Sequence, residues 1–234
     1  MDAPAAMTPL HRHQLAYLSP AGWRRIVQRD WDVTARACLT HWSAQRLPLV
    51  VTRQLRDGDA AADASDAIAL GLPAPGRWAR RRIALRVPRS DVQYFDEFPR
   101  ADQVVRLLPE AVRDDRRHLC AALEGTGVNA RAYGSYGWQQ ISGLDHLRND
   151  SDIDLWIAVS HAQQADAVAA LLQRFAGARP QLDGELVFGG DAVAWREWLA
   201  GRAGRAEALL IKTIAGASLA WPAGCAIDAA EPAP

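Results

Sequence analysis

Two aspartates at alternate positions stand directly before an apolar run. Asp152 and Asp154 lead into Leu155–Val159, whose composition predicts a buried strand. Because side chains alternate along a strand, both carboxylates point to one side, about 6–7 Å apart at the backbone. Two ionised carboxylates are costly to bury unless a cation neutralises them. Hard divalent cations take oxygen ligands, so the pair predicts a metal site.

A second acidic pair and a Gly-Ser turn accompany this strand. The segment Leu182–Phe188 predicts another strand, with Asp183 and Glu185 on one face. Gly134 and Ser135 follow a short predicted strand. Taken alone, the Gly-Ser pair is also typical of an ordinary turn. The two predicted strands are expected to bring their carboxylates together in one sheet.

The composition is that of an ordinary globular protein. The chain has 234 residues, of which 49% are hydrophobic and 23% charged, enough for one large or two small domains. A formal net charge of zero gives no electrostatic reason to expect nucleic acid or an anionic membrane as partner. No signal peptide or apolar span of about 20 residues is present, and a reducing cytoplasm is the expected compartment. The three cysteines lack metal-ligand spacing.

The order of predicted elements indicates an α+β or α/β fold in two parts. Residues 1–98 predict a small N-terminal α+β domain, and residues 99–222 predict a mixed sheet with flanking helices, in which two strands carry carboxylates. Helices are expected to begin at Asp191 and to span about Arg205–Leu219, the second carrying the only lysine, Lys212. The Ala/Pro-rich segment 223–234 is expected to be a disordered tail.

Gly134-Ser135 followed by Asp152-Ile153-Asp154 resembles the signature of the polymerase-β-like nucleotidyltransferase superfamily. Longer strings are similar to one of its families, the malonate decarboxylase holo-acyl-carrier-protein synthase, or phosphoribosyl-dephospho-CoA transferase. Those strings are Ala132–Gln139, Asp150–Leu155, Leu182–Glu185, Ala194–Trp198 and Leu210–Thr213.

The resemblance implies a definite reaction. Such enzymes move a 2'-(5''-phosphoribosyl)-3'-dephospho-CoA group from its 5''-triphosphate to a serine of the malonate decarboxylase acyl carrier protein, and pyrophosphate leaves. It implies Mg²⁺ or Mn²⁺ held by Asp152, Asp154 and a third carboxylate, for which Asp183 is preferred over Glu185. It also implies that four further residues contact the triphosphate: Gly134, Ser135, Lys212 and Arg148.

Two other functions stay open at this point. A nucleotidyltransferase with a different small-molecule or protein acceptor would share the metal site. A non-catalytic binding or scaffold protein would keep only the fold, but unpaired buried acids such as Asp152 and Asp154 are a liability without metal. The exposed arginines predicted in the N-terminal domain either face an acidic carrier protein or form a solvated sheet edge; they are Arg53, Arg82 and Arg86.

Overall fold

The computed structural model of the protein describes residues 9–54 and 66–221. Its first part contains β1 (Leu15–Leu18), α1 (Pro20–Val27), α2 (Val33–Ala44), β2 (Leu49–Val51), β3 (Ala67–Pro73), β4 (Arg82–Pro88) and β5 (Val92–Asp96). Its second part contains α3 (Ala101–Val104), α4 (Glu110–Gly125), β6 (Ala130–Ala132), α5 (Gly134–Ser142), β7 (Ile153–Ala158), α6 (Ala162–Arg174), β8 (Leu182–Phe188), β9 (Asp191–Ala194), α7 (Trp195–Arg202), β10 (Leu209–Lys212) and β11 (Ala217–Ala220). The expected tail, 223–234, lies outside the described residues. No helix in the two described ranges has the length and apolar character needed to cross a membrane.

The N-terminal strands form one antiparallel sheet in the order β4-β3-β2-β1-β5. The alternation expected in β4 is confirmed, since Ile83, Leu85 and Val87 are buried and the residues between them are exposed. The buried side chains share a core with α1 and α2, centred on Trp42. Because these helices cover only one face, alternate residues of β2, β3 and β4 leave the opposite face accessible.

The second sheet is mixed, in the order β11-β10-β9-β8-β7-β6. Its adjacent strands β7 and β8 are parallel and are joined through α6, as a parallel pair requires a crossover. Ile153, Leu155 and Ile157 of β7 are buried in a core shared with α4, α6 and α7. The other face of β7 therefore carries Asp154 and Trp156. This arrangement confirms the α+β mixed-sheet fold.

The prediction of a helix over Arg205–Leu219 is wrong. This segment is a hairpin in which β10 and β11 pair antiparallel, with Lys212 at the end of β10. Leu209 and Ile211 are buried while Leu210 is exposed, a period of two that only a strand can satisfy. Similarly, Asp191 begins β9 and the helix starts later, at Trp195. The good helix formers around Lys212 are thus overridden by sheet pairing.

Helix α5 joins the two sheets. Its Trp138 is 4% exposed and packs in the core of the N-terminal sheet, with its ring 5.4 Å from that of Phe98 in an edge contact. The first residues of the same helix, Gly134 and Ser135, lie against β7. Because one helix serves both cores, the accessible face of the N-terminal sheet is held beside the acidic face of the second.

Candidate active site

The acidic residues predicted on two separate strands meet on one sheet face. Asp154 and Asp183 are register partners on the parallel strands β7 and β8, so their side chains point the same way, with backbones about 4.8 Å apart. Asp152 precedes Asp154 by two residues and shares its face. Asp152 and Asp183 are exposed, whereas Asp154 is partly buried between them and Gly134. The structure thus places three carboxylates on one face of the sheet, with Asp152 and Asp183 near enough to act on the charge of Asp154.

The environment of Asp154 is strongly negative. Burial raises its pKa to about 7, and the charges of Asp183, Asp152 and Glu185 add to the shift in that order. The neighbouring Tyr133 lies near the same carboxylates. Burial, together with the negative charges of Glu185 and Asp154, raises the pKa of its hydroxyl. Uncompensated negative charge at Asp154 means that a cation would be bound favourably there.

We expect the metal-free protein to become less stable as the pH rises from about 4 to about 7. The pKa of Asp154 is about 7 in the folded protein and has its ordinary value of 3.8 in the unfolded chain, so the folded protein binds this proton more tightly. The binding of the proton therefore stabilises the fold below pH 4, and this stabilisation is lost as the pH rises through 7. The loss amounts to at most about 4 kcal/mol. Urea unfolding in a chelator between pH 5 and 8 measures it, and Asp154→Asn should show a flatter profile. Parallel profiles for the two proteins would contradict the expectation.

Glu185 lies on the same face but in a different electrostatic setting. It is 4% exposed, and Nζ of Lys212 donates a hydrogen bond to its Oε1 at 2.8 Å. Nε2 of His13 lies 3.6 Å from its Oε2, just beyond hydrogen-bond distance. Burial would raise the pKa of Glu185, yet His13 and Lys212 outweigh it and lower the pKa to about 2. Glu185 is therefore already neutralised, whereas Asp183 is exposed, and Asp183 stays the predicted third carboxylate.

Replacing Lys212 with Met is expected to lower the free energy of unfolding by about 2–3 kcal/mol at pH 7. The change leaves the buried carboxylate of Glu185 without its ammonium partner, while the partial exposure of Lys212 keeps the loss below that of a fully buried pair. Because the pKa of Glu185 is depressed, the stabilisation exists above pH 4.5 and disappears as the pH falls towards 2.

Denaturant unfolding of the Lys212→Met variant at pH 7 and pH 3 checks this result. The difference from the original protein should shrink at the lower pH. The double variant Lys212→Met/Glu185→Gln is the control, since it removes both charges and should recover most of the stability. An equal loss in the single and double variants would mean that the stem of Lys212, rather than its charge, stabilises the fold.

The Gly-Ser turn forms the first residues of α5 and touches Asp154. Gly134 has φ +60°, and a Cβ there would lie 1.9 Å from Oδ2 of Asp154. The N–H of Tyr133 donates to the carbonyl of Asp154 at 3.0 Å, which fixes the turn on β7. The first helical bond runs from the N–H of Gly137 to the carbonyl of Tyr133, so the preceding N–H groups are available to a ligand.

A cleft of about 560 Å³ runs from these residues to the N-terminal sheet. Gly134, Ser135 and Asp154 line one end of it. The remaining lining comes mostly from the accessible face of the N-terminal sheet, whose contributions include Val50, Arg53, Gly71, Arg82 and Ala84. A cavity of this size is ordinary for a small-molecule or cofactor site.

Of the predicted site residues, Asp152, Asp183, Lys212 and Arg148 are not part of the lining of this cleft. The ammonium of Lys212 is engaged by Glu185, and neither residue lines the cleft. Arg148 is exposed in the loop between α5 and β7, where its Nε is 3.4 Å from Asp150. Arg148 stays a prediction, because the loop that carries it leads directly into Asp152.

Sequence reasoning missed the contribution of the N-terminal segment. Arg12 lines the cleft, and His13 stacks on Tyr133 with ring centroids 4.2 Å apart. His13 has φ +64°, a backbone conformation that is uncommon for a residue other than glycine. The basic cluster His11-Arg12-His13 was the available signal, but no spacing rule links it to an acidic strand 140 residues later.

The donor atoms fit a hard divalent cation. Within residues 9–54 and 66–221, no group of three or more His, Cys, Asp or Glu side chains is already arranged to hold a metal ion. Asp152 and Asp183 are exposed, however, so their side chains can rotate towards a cation without disturbing the core. Asp152, Asp154 and Asp183 supply only carboxylate oxygens, the ligand type that Mg²⁺ and Mn²⁺ prefer.

The mixed sheet, the Gly-Ser helix start and the carboxylates beside it form the arrangement expected of a transferase with a nucleotidyltransferase-like site. Comparison with protein families identifies it further. The family described as Phosphoribosyl-dephospho-CoA transferase MdcG N-terminal domain matches residues 11–98, and the corresponding C-terminal domain matches residues 99–223. The chain belongs to the phosphoribosyl-dephospho-CoA transferase family.

Individual relatives agree with this assignment. A phosphoribosyl-dephospho-CoA transferase of Bradyrhizobium diazoefficiens is 32% identical over 208 residues, which is 88% of this chain and 88% of the relative. One of Xanthomonas euvesicatoria is 32% identical over 205 residues, 86% of this chain and 90% of the relative. One of Pseudomonas aeruginosa is 30% identical over 142 residues, 55% of this chain and 68% of the relative. No solved structure matches the chain significantly.

Proposed function

We propose that this enzyme transfers 2'-(5''-phosphoribosyl)-3'-dephospho-CoA from its 5''-triphosphate donor to a serine of the malonate decarboxylase acyl carrier protein. The observation that carries the proposal is the contact between the start of α5 and Asp154, with Asp183 in register beside it. In the reaction the serine oxygen bonds to the α-phosphorus, the bond from that phosphorus to the bridging oxygen breaks, and pyrophosphate leaves. The serine hydroxyl gives up its proton.

The first turn of α5 binds the triphosphate in this proposal. The free N–H groups there, with the hydroxyl of Ser135, donate to phosphate oxygens, and the helix dipole favours their negative charge. Gly134 allows this turn to lie directly on the carboxylate of Asp154. The phosphorus to be attacked is thereby brought next to the acidic face of β7 and β8.

In this proposal the carboxylates would bind the metal ion, and one of them would accept the proton of the acceptor serine. Asp152, Asp154 and Asp183 would bind Mg²⁺ or Mn²⁺, which, when bound, neutralises charge on the leaving pyrophosphate and activates the entering oxygen. Asp183 is exposed and therefore open to an incoming protein, so it takes the proton of the serine hydroxyl. Glu185 and Lys212 support this face from within as a neutralised pair. A cytoplasmic setting is part of the proposal, and the free thiols of Cys38 and Cys120 support it.

Intact-mass measurement of the apo carrier protein tests this function. The carrier is incubated with the enzyme, Mg²⁺ and the triphosphoribosyl-dephospho-CoA donor, with ATP as a parallel donor. A mass gain equal to phosphoribosyl-dephospho-CoA with release of pyrophosphate is expected, and replacing the carrier's acceptor serine by alanine should remove it. A gain with ATP alone would favour a general protein nucleotidyltransferase, and no gain with either donor would overturn the proposal.

A further inference from the structure

The cleft extends well beyond the carboxylates, over the accessible face of the N-terminal sheet. Val50, Gly71 and Ala84 are register partners on β2, β3 and β4, so they form one row across three strands. All three line the cleft, and all three have small side chains or none. Ala84 is exposed. The row makes a shallow slot in the sheet rather than a filled core.

Cationic side chains surround this slot. Arg12, Arg53 and Arg82 reach it from three different segments of the chain. Nε of Arg53 donates to the carbonyl of Ala215 at 2.9 Å, which ties the slot to the turn after β10. The slot end of the cleft is thus positive, while the end at Asp154 is negative.

A buried polar atom lines the same cleft. His146 is 5% exposed and packs against the rings of Trp42 and Trp138. Its Nε2 is fully buried and has no hydrogen-bond partner within residues 9–54 and 66–221. Buried polar groups normally find a partner, whereas His146 leaves one buried ring nitrogen unpaired in a residue that lines the cleft.

We propose that the slot of Val50, Gly71 and Ala84, with Arg53 and Arg82 at its rim, binds the nucleoside diphosphate arm of the donor. This inference rests on the proposed function, because the donor carries both a triphosphate and a dephospho-CoA moiety. The triphosphate lies at α5, and the dephospho-CoA diphosphate lies against the two guanidinium groups, which match phosphate geometry. Small side chains leave room for a flat base or a thin chain against the sheet. The N-terminal sheet then selects the donor rather than the carrier protein.

Dephospho-CoA itself is the probe, since it lacks the triphosphate and binds whether or not transfer occurs. Isothermal titration should give a dissociation constant at least about tenfold higher for Arg82→Ala, the size expected for loss of a charged hydrogen bond. Ala84→Leu should weaken binding by a similar factor, because its side chain fills the slot from an exposed position that does not disturb the core. Melting temperatures of both variants should stay close to that of the original protein.

Arg86→Ala is the matched control. Arg86 lies on the same strand and the same face as Arg82, but it does not line the cleft. Its replacement should change the dissociation constant by less than about twofold. In transfer assays, Arg82→Ala should raise the KM for the donor and leave the KM for the carrier unchanged. Equal effects of Arg82→Ala and Arg86→Ala, unaltered dephospho-CoA binding in Ala84→Leu, or a raised carrier KM would each overturn the inference.

The two proposals fail separately. If transfer to the carrier occurs but substitutions at Arg82 and Ala84 leave dephospho-CoA binding unchanged, the proposed function is supported and the slot assignment is wrong. If dephospho-CoA binds in an Arg82-dependent manner but no carrier gains mass, the slot assignment stands and the acceptor is wrong.

Discussion

Asp154→Asn is expected to lower the rate of transfer by at least ~10³-fold. The substitution keeps the shape of the side chain but removes the negative charge that lies between Asp183 and the backbone of Gly134. Metal ions stabilise transition-state charge by several kcal/mol, and ~4 kcal/mol corresponds to ~10³-fold in rate. The rate of mass gain of the carrier protein, at saturating donor and Mg²⁺, measures the effect. Asp152→Asn should behave in the same way.

Asp150→Asn is the matched control for this prediction. Asp150 is an exposed acid two residues before Asp152, and its contact is with Arg148 rather than with the acidic face. Its replacement should leave transfer within about twofold, as surface substitutions away from a site usually do. Asp154→Asn should also melt at a higher temperature than the original protein in a chelator at pH 8, since it relieves charge repulsion. Turnover retained in a folded Asp152→Asn/Asp154→Asn variant would refute the metal-ligand assignment.

Gly134→Ala is expected to reduce transfer by about 10²-fold or more, because a misplacement of about 1 Å at a reacting group has an effect of this size. The added Cβ would lie 1.9 Å from Oδ2 of Asp154, so the helix start and the carboxylate must move apart. The N–H groups at the start of α5, to which we assign phosphate binding in the proposed function, then no longer face the acidic strand. Single-turnover rates at saturating donor separate this loss of geometry from weaker binding.

Gly143→Ala is the control that separates the effect of the close approach between Gly134 and Asp154 from the effect of backbone strain. Gly143 ends α5 with φ +68°, almost the same conformation as Gly134, but nothing lies within 4 Å of a Cβ at this position. Both substitutions therefore carry a similar strain of about 1 kcal/mol, and only Gly134→Ala also meets a carboxylate. Transfer by Gly143→Ala should stay within about threefold. Comparable loss in both variants would show that strain in α5, and not the contact with Asp154, limits the reaction.

Local pattern was sufficient for one strand of the N-terminal sheet and for the two strands that build the acidic face. The period-two alternation of β4, the apolar run of β7 and the strand at Leu182–Phe188 depend on neighbouring residues only, and each is found where the sequence predicts it. The Gly-Ser turn before an Asp-x-Asp strand is also a local string. For this reason the sequence predicts Gly134, Ser135, Asp152 and Asp154 as one site, and in the structure Gly134 lies against Asp154.

Only the tertiary structure shows how the surroundings of Asp183 and Glu185 differ. Both lie on one face of β8, and alternation cannot separate two residues of the same parity. The distinction comes from Lys212, which reaches Glu185 because its segment is a strand of the same sheet and not a helix. Strand pairing between distant segments decides such a case, and helix propensity around Lys212 pointed the other way.

The sequence by itself determined the class of chemistry, because the residues of the acidic pairs and of the Gly-Ser turn are close together along the chain. Only the tertiary structure decided which other residues line the cleft beside them. Arg12, Arg82 and His146 are separated by up to 134 residues, and they share one cleft because α5 packs into the core of the N-terminal sheet. Non-local contacts of this kind depend on how whole elements pack, and no periodicity or spacing in the sequence encodes them directly.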